Sequence, residues 1–231
     1  MNKKKKSAEL IQSSSKRLIR GTKNGYRYTR LNKATSNFRL RRYISKQIPM
    51  FVIFVDLVGS TKMSQEIPPN MLGHVIRSFS QEVTIIIENF HGHVLKFVGD
   101  AVVGYFIPIN NSRKIANDVI ECARAIVDVA KYSANPLLRE LGLPSLHMHM
   151  GADYGKCHVL LYGTDRKKSH VDLIGNSVNL AAKMQGLAKS DELVLGNEIY
   201  KKLKNKKNLS KISMQTGWKY DYDVYCINFS R

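Results

Sequence analysis

Phe51-Val-Ile-Phe-Val-Asp-Leu-Val-Gly-Ser-Thr61 opens with five consecutive apolar residues, each of them β-branched or aromatic. Such a run predicts a strand that is buried on both faces. The strand ends on the carboxylate of Asp56, which is costly to bury unless a positive group meets it. Gly59-Ser60-Thr61 then supplies small residues whose backbone amides suit an anion at the start of a helix. A carboxylate for a cation beside amides for a phosphate indicates a metal–nucleotide site, although an Asp that caps an ordinary turn leaves the same pattern.

The residues after this strand predict alternating helices and strands. Apolar residues recur at three- and four-residue spacing over 71–90 and over 112–133, as in amphipathic helices. Between them, 93–98 and 101–107 are rich in β-forming residues, and Gly99-Asp100 joins the two as a predicted hairpin. Further strands are expected at 147–152, 155–162, 192–195 and 222–227, and further helices at 60–65, 176–184 and 197–204.

The order of these elements is β-α-β-β-α-β, followed by more strands and helices. This is the ferredoxin-like connectivity, in which helices cover one side of a mostly antiparallel sheet. We therefore predict an α+β fold with a ferredoxin-like βαββαβ core and additional C-terminal β/α elements. The predicted domain covers residues 47–231, and residues 1–46 are predicted to be a basic, mostly flexible N-terminal tail and linker.

The net charge of +19 is unevenly distributed along the chain. Residues 1–48 hold 15 Lys and Arg against the single acid Glu9, so the rest of the chain is only mildly basic. Within this region, residues 8–19 can form a short helix with Leu10, Ile11, Leu18 and Ile19 on one side. Such a segment suits an anionic membrane surface or nucleic acid, while a solvated tail that aids solubility is the simpler explanation.

Composition and apolar runs exclude two classes of protein. No apolar run approaches the roughly 20 residues that span a bilayer. Met1-Asn-Lys-Lys-Lys-Lys6 is not followed by the apolar segment of a secretory signal. The three cysteines, Cys122, Cys157 and Cys226, are scattered without metal-ligand spacing and fit reduced thiols. We therefore expect a cytoplasmic protein, with the basic N-terminus as the part that can reach a membrane surface.

Asp56 and Asp100 are expected to meet at one edge of the sheet. In a β-α-β-β arrangement the end of the first strand lies beside the tip of the following hairpin, because adjacent strands are only about 5 Å apart. Two carboxylates that close repel each other unless a cation lies between them. Mg²⁺ prefers a few carboxylates plus phosphate oxygens, and two metal ions can hold both the attacking and the leaving oxygen of a phosphoryl transfer. The residues therefore predict a metal-dependent site for a phosphorylated nucleotide.

Four separated motifs carry a resemblance to a known family. They are Phe54-Val-Asp-Leu-Val-Gly-Ser-Thr61, Gly92-His-Val-Leu-Lys-Phe-Val-Gly-Asp100 with 101–106, Gly151-Ala-Asp-Tyr-Gly155, and Asp172-Leu-Ile-Gly-Asn-Ser-Val-Asn-Leu-Ala-Ala182. Over roughly residues 48–229 the chain resembles the catalytic domain of class III adenylyl/guanylyl cyclases. The resemblance implies a head-to-tail homodimer with active sites at the interface and two Mg²⁺ or Mn²⁺ ions in each site.

The resemblance also implies a role for individual residues. Asp56 and Asp100 match the metal-binding aspartates, with the Leu57 carbonyl as a further ligand. Lys96 and Asp172 match the pair that recognises the purine, and a Lys donor with an Asp acceptor suits adenine. Asn179 matches the residue that orients the ribose and the transition state. The matching phosphate-binding turn consists of Val58, Gly59, Ser60 and Thr61.

Lys183 departs from the family pattern. The family usually has an Arg there, four residues after the Asn on the same helix face. An Arg fork grips two phosphoryl oxygens at once, whereas Lys offers a point charge. Lys219, before the last strand, is a further candidate for a triphosphate contact.

These residues favour an adenylyl cyclase that converts ATP to 3′,5′-cyclic AMP and pyrophosphate. One alternative is a cyclase with the same fold that acts on GTP or on a pyrimidine nucleoside triphosphate. The other is a catalytically silent cyclase-like binding module, which Lys183 keeps open and which the presence of both aspartates argues against.

Overall fold

The computed structural model of the chain describes residues 3–24, 39–108, 111–165, 168–212 and 222–230. The strands are β1 (Gln47–Leu57), β2 (His93–Val98), β3 (Ala101–Phe106), β4 (Met148–Tyr162), β5 (His170–Ile174), β6 (Glu192–Gly196), β7 (Ser210–Ile212) and β8 (Val224–Asn228). The helices are α1 (Lys3–Asn24), α2 (Ser60–Glu66), α3 (Pro69–Asn89), α4 (Ser112–Val129), α5 (Asn135–Glu140), α6 (Asn176–Leu187) and α7 (Asn197–Tyr200), with a π-helical segment, Ala130–Ala134, between α4 and α5.

The strands form one eight-stranded sheet in the order β2-β3-β1-β4-β6-β8-β7, with β5 also paired to β4. β1 lies in its centre, antiparallel to β3 on one side and to β4 on the other. The β4–β6 pair is parallel, so the sheet is mixed. The predicted βαββαβ core and the α+β class are confirmed, and the additional elements from β5 onwards extend the sheet beyond β4.

Successive residues of β1 point to opposite faces of the sheet, as the period of a strand requires. Phe51, Ile53 and Val55 pack into the larger apolar cluster beneath α3 and α4, which we call the α3/α4 side. Val52 and Phe54 pack on the other face, where Ala181 of α6 meets them, and we call this the α6 side. Asp56 follows the same alternation and therefore lies on the α6 side.

One strand replaces two predicted ones. The expected strands at 147–152 and 155–162 are a single strand, β4, in which Gly155 remains paired to Met50 of β1. Glycine inside a strand commonly marks an interruption, which is why the sequence indicated a break. Here the absence of a Cβ serves packing, because a Cβ on Gly155 would lie 3.1 Å from Cβ of Ser177 in α6.

The prediction of a mostly flexible N-terminal tail is wrong for residues 3–24. They form α1, in which Leu10 and Leu18 are each only 5% exposed. Ser14, between them on the same helical stripe, is fully buried. The stripe of Leu10, Ser14 and Leu18 lies within residues 8–19, for which the sequence predicted a possible helix. Because Ser14, its central residue, is small, α1 can approach the domain closely. No helix among the described residues is long and apolar enough to cross a membrane.

Polar contacts hold α1 against α3, α4 and the π-helical segment. Arg17 Nε and Nη2 donate to the two carboxylate oxygens of Glu82 in α3, at 2.9 and 2.5 Å. Ser7 Oγ donates to Asp128 at 3.0 Å, and the hydroxyls of Ser15 and Ser133 are 2.9 Å apart. Because Glu82 is buried, Arg17 supplies the charge that its carboxylate requires.

We expect Arg17→Ala to lower the free energy of unfolding by about 2 kcal/mol, because it leaves the buried Glu82 carboxylate without its charged donor. Urea denaturation measures the effect. Lys16→Ala, at an exposed position of the same helix, is the matched control and should stay within about 0.5 kcal/mol of the wild type. Equal effects of the two substitutions would contradict the docking of α1 on α3.

Candidate active site

Asp56 and Asp100 lie together on one edge of the sheet, as the sequence predicts. Asp56 is the penultimate residue of β1, and Asp100 occupies the two-residue turn between β2 and β3. Gly99, the other turn residue, has φ 61°, which a glycine adopts without strain. Partial burial, the charge of Asp100 and a hydrogen bond between the two carboxyl groups raise the pKa of Asp56 to about 6, although the Leu57 N–H lowers it.

The oxygens at this edge fit a divalent cation. Asp100 Oδ2 is buried and accepts no hydrogen bond from the described residues. A buried carboxylate oxygen without a partner is rare, because such an atom has lost its water without compensation. In the described part of the chain no group of three or more His, Cys, Asp and Glu comes together as a ligand set. The candidate ligands are therefore Asp56, Asp100 and the Leu57 carbonyl, a hard oxygen set of the type that Mg²⁺ and Mn²⁺ take.

The turn after β1 exposes backbone N–H groups. Gly59 has φ 71° and precedes α2, and no side chain caps the N-terminus of this helix. The Val58 N–H is already used, because it donates to the His147 carbonyl at 2.9 Å. The structure thus holds Val58 against His147, the residue before β4. It places Gly59, Ser60 and Thr61 at the helix start, where N–H groups lack intrahelical acceptors.

Lys96 and Asp172 are brought together, although 76 residues separate them in sequence. Lys96 Nζ donates to Asp172 Oδ2 at 2.5 Å, and Asp172 Oδ1 accepts from the Leu173 N–H at 2.9 Å. The Lys96 side chain is 34% exposed and that of Asp172 is 14% exposed. The pair therefore presents a cation and a carboxylate side by side at a partly open surface.

A β-bulge aims Lys96 at Asp172. The register of β2 against β3 shifts between Val94 and Lys96. Val94 and Phe97 pack on the α3/α4 side, whereas Leu95 packs on the α6 side. Lys96 is paired with Val103, whose side chain also belongs to the α6 side, so the bulge turns Lys96 to the face that carries Asp56.

Asn179 and Lys183 lie on α6 with exposed side chains. They are four residues apart and therefore share one face of the helix. The helix sits unusually close to β4, because a Cβ on Gly151 would lie 2.2 Å from the Ala181 carbonyl and from the Gln185 N–H nitrogen. Glycine at 151 is what allows α6 to lie at this depth.

Two further residues next to Asp56 were missed from the sequence. Gln185 Nε2 of α6 donates to Asp56 Oδ2 at 3.3 Å. His149 of β4 is the direct cross-strand partner of Asp56, and such partners project from the same face. The pairing register could have identified His149, but sequence alone did not provide it. Lys219, the remaining predicted contact, lies outside the described residues.

The fold and this site together define a nucleotidyl cyclase domain. The chain belongs to the family of adenylate and guanylate cyclase catalytic domains, whose model matches residues 43–228. The family resemblance that the four motifs indicated is thus confirmed. Members of this family generally use divalent metal ions.

The most informative relatives differ in the nucleotide for which they are named. The chain is 26% identical over 158 residues to a protein of Escherichia coli named cytidylate cyclase. The aligned part covers 65% of this chain and 34% of that protein. It is 26% identical over 155 residues to the uridylate cyclase of Rhodovulum sp. (strain MB263), covering 63% of this chain and 61% of the relative. The chain thus spans about a third of the first relative and less than two thirds of the second.

Two solved structures show the same fold. The guanylyl cyclase Cya2 superposes with a TM-score of 0.70 at 18% identity, over 79% of this chain and 93% of that one. The adenylyl cyclase CyaB from P. aeruginosa superposes with a TM-score of 0.66 at 23% identity, over 80% of this chain and 96% of that one.

The raised pKa of Asp56 predicts a pH-dependent stability of the metal-free protein. The ordinary value is 3.8 and the folded value about 6, so the folded state holds a proton that the unfolded state has already lost. The proton on Asp56 stabilises the folded state fully below about pH 4, and this stabilisation is lost as the pH rises through 6. Asn cannot ionise, so Asp56→Asn should not lose stability in this way. We therefore expect the variant to gain stability relative to the wild type as the pH rises from 4 to 7.

Urea denaturation in the presence of a chelator, at several pH values, measures this difference. Asp223→Asn is a suitable control, because the Asp223 side chain is 41% exposed and lies away from the site in a surface pair with Lys211. Identical pH profiles for the wild type and Asp56→Asn would refute the assignment.

Proposed function

We propose that the chain cyclises a nucleoside triphosphate to a 3′,5′-cyclic nucleotide and pyrophosphate, with ATP as the first candidate substrate. The observation that carries the proposal is the carboxylate pair of Asp56 and Asp100, one oxygen of which is buried without a partner. The chain also carries the contacting pair of Lys96 and Asp172. In a head-to-tail dimer this pair would face the carboxylate pair of the partner copy, so that one copy holds the metal ions and the triphosphate and the other receives the base.

Asp56, Asp100 and the Leu57 carbonyl would hold the divalent ions. When bound, these ions lower the pKa of the ribose 3′-hydroxyl and neutralise charge on the triphosphate. At the start of α2, the N–H groups of Gly59, Ser60 and Thr61 donate hydrogen bonds to phosphate oxygens. The protein then contributes mainly by positioning the hydroxyl in line with the phosphorus and by balancing charge.

Lys96 and Asp172 select the base by its hydrogen-bonding edge. An ammonium donates to an unprotonated ring nitrogen, and a carboxylate accepts from an exocyclic amino group. Adenine carries this combination at N1 and its 6-amino group. Because the two side chains already contact each other, little rotamer freedom is lost when a base inserts between or beside them.

CTP is the second candidate substrate. Cytosine carries the same combination, at N3 and its 4-amino group, so the pair of Lys96 and Asp172 accepts either base. The relatives named cytidylate cyclase and uridylate cyclase favour a pyrimidine nucleotide. Guanine has a ring N–H where adenine has an acceptor, which makes GTP the poorer match.

In a head-to-tail homodimer, the site of a second copy would be completed by Lys96, Asp172, Asn179 and Lys183 of this chain. The side chains of Asn179 and Lys183 are exposed, on a helix whose neighbouring Gln185 contacts the chain's own Asp56. Three exposed large apolar residues lie on elements that carry site residues: Val98 (54%), Ile174 (50%) and Leu187 (40%). Apolar residues around a functional edge suit an interface between copies.

Turnover of all four nucleoside triphosphates with Mg²⁺ or Mn²⁺ tests the proposed reaction. We expect cyclic nucleotide and pyrophosphate in equal amounts, with ATP or CTP preferred. Asp100→Asn should reduce the rate by about 100-fold or more through loss of a metal ligand. Asp172→Ala should lower kcat/KM for the preferred base by about tenfold or more, because Lys96 then lacks a carboxylate and the amino group lacks its acceptor. Glu66→Gln, at an exposed position of α2, is the control.

A rate no higher than that of Asp100→Asn, with all four nucleotides and both metals, would refute catalysis. It would instead support the silent binding module. A preference for GTP would refute the assignment of Lys96 and Asp172 while leaving the reaction intact.

Mixing two inactive variants tests the shared site. Asp56→Ala removes a metal ligand, and Asn179→Ala removes the group expected from the other copy. Random exchange makes half of the dimers heterodimers with one intact site each, so the mixture should regain roughly a quarter of the wild-type rate. If the mixture stays inactive although both variants are folded and dimeric, the site is not shared between two copies.

A further inference from the structure

An elongated apolar cavity lies on the α3/α4 side of the sheet, away from Asp56 and Lys96. Its volume is about 310 Å³, and it is lined by residues of α3, α4, the π-helical segment and α5. Met148 of β4 and Leu18 of α1 also line it, and the cavity is partly open to the surface. None of the residues that line it belongs to the candidate active site.

The walls of the cavity are almost entirely hydrocarbon. Among the described residues, the polar side chains that line it are His74, Ser78 and Glu82. Both carboxylate oxygens of Glu82 already accept from Arg17, so the wall presents no free charge from this group. The chemistry therefore favours an uncharged, hydrocarbon-rich molecule with one hydrogen-bonding end.

The shape of the cavity indicates whether its ligand is an extended chain or a ring. Its lining follows one stripe of α3 from Met71 to Ile86, about four turns of the helix. At about 30 Å³ for each water-sized group, the volume holds only about ten non-hydrogen atoms. A small volume that is lined along several turns of one helix suits an extended chain better than a ring. Protein interiors seldom keep such a volume empty, because close packing leaves few voids larger than a water molecule.

We propose that this cavity binds a single medium-length aliphatic chain that ends in a neutral hydrogen-bonding head group. The chain lies along the stripe of α3 beneath Leu18, and the head group reaches Ser78 or His74. This site is independent of the nucleotide site, so its test requires neither nucleotide nor metal.

A series of 1-alkanols from hexanol to tetradecanol tests the proposal on the full chain. Uncharged probes are needed because a net charge of +19 attracts anionic lipids regardless of any cavity. We expect the Kd from calorimetric titration to fall about fourfold with each added methylene, and the fall to stop near ten carbons, where the cavity is full. The Tm should rise with occupancy. No rise in Tm, or an affinity that keeps growing to tetradecanol, would overturn the proposal.

Two matched tryptophan substitutions locate the site. Ala134→Trp places an indole in the cavity wall and should weaken decanol binding by tenfold or more. Ala8→Trp makes the same change at an exposed position of α1 and should leave the Kd unchanged. Equal binding by the two variants would refute the site.

Photolabelling of the wild type covers the case in which Ala134→Trp does not fold. A diazirine-bearing decanol should label peptides from 71–86 or 134–146 and be displaced by unlabelled decanol. Labelling confined to other peptides would likewise refute the site.

Discussion

The rest of the structure depends on the two carboxylates that the sheet forces together at its edge. Asp56 is the penultimate residue of a strand buried on both faces, and Asp100 lies in a two-residue turn beside it. The backbone at Asp56 is held in place because β1 pairs with a strand on each side. Burial and the charge of Asp100 raise the pKa of Asp56 to about 6, and one oxygen of Asp100 has no partner in the described residues. Such an arrangement is destabilising by itself, and a cation between the two carboxylates would offset the repulsion.

The helix α6 connects this carboxylate pair to the surface. Gly151 allows the helix to lie against β4, and that depth brings Gln185 to Asp56. Asn179 and Lys183 are on the same rigid helix but face outward. If a second copy receives these two side chains, a shift of α6 changes one site through Gln185 and the other through Asn179. The two sites of the proposed dimer would then be mechanically coupled by one element.

The central part of the fold could be predicted from the sequence because strong local signals agreed with one another. The apolar run before Asp56, the Gly-Asp turn and the two amphipathic helices each specify one element, and their order specifies the sheet. Three features could not be predicted in this way. The bulge that turns Lys96 depends on pairing with β3, the cross-strand position of His149 depends on the register of β4, and the docking of α1 depends on a narrow stripe that becomes significant only against α3 and α4.

The selection of the base is separable from the fold that carries it. Structures of a guanylyl and an adenylyl cyclase match this chain almost equally, with TM-scores of 0.70 and 0.66, so the backbone does not distinguish their substrates. In the function proposed above, the pair of Lys96 and Asp172 would limit the substrate to bases with one hydrogen-bonding pattern, which adenine and cytosine share. What differs between these two bases is size, since a purine extends further from the ribose than a pyrimidine. If Lys96 and Asp172 receive the base, the selection between adenine and cytosine depends on the side chains that surround this pair and limit the depth of the base site, and not on the pair itself.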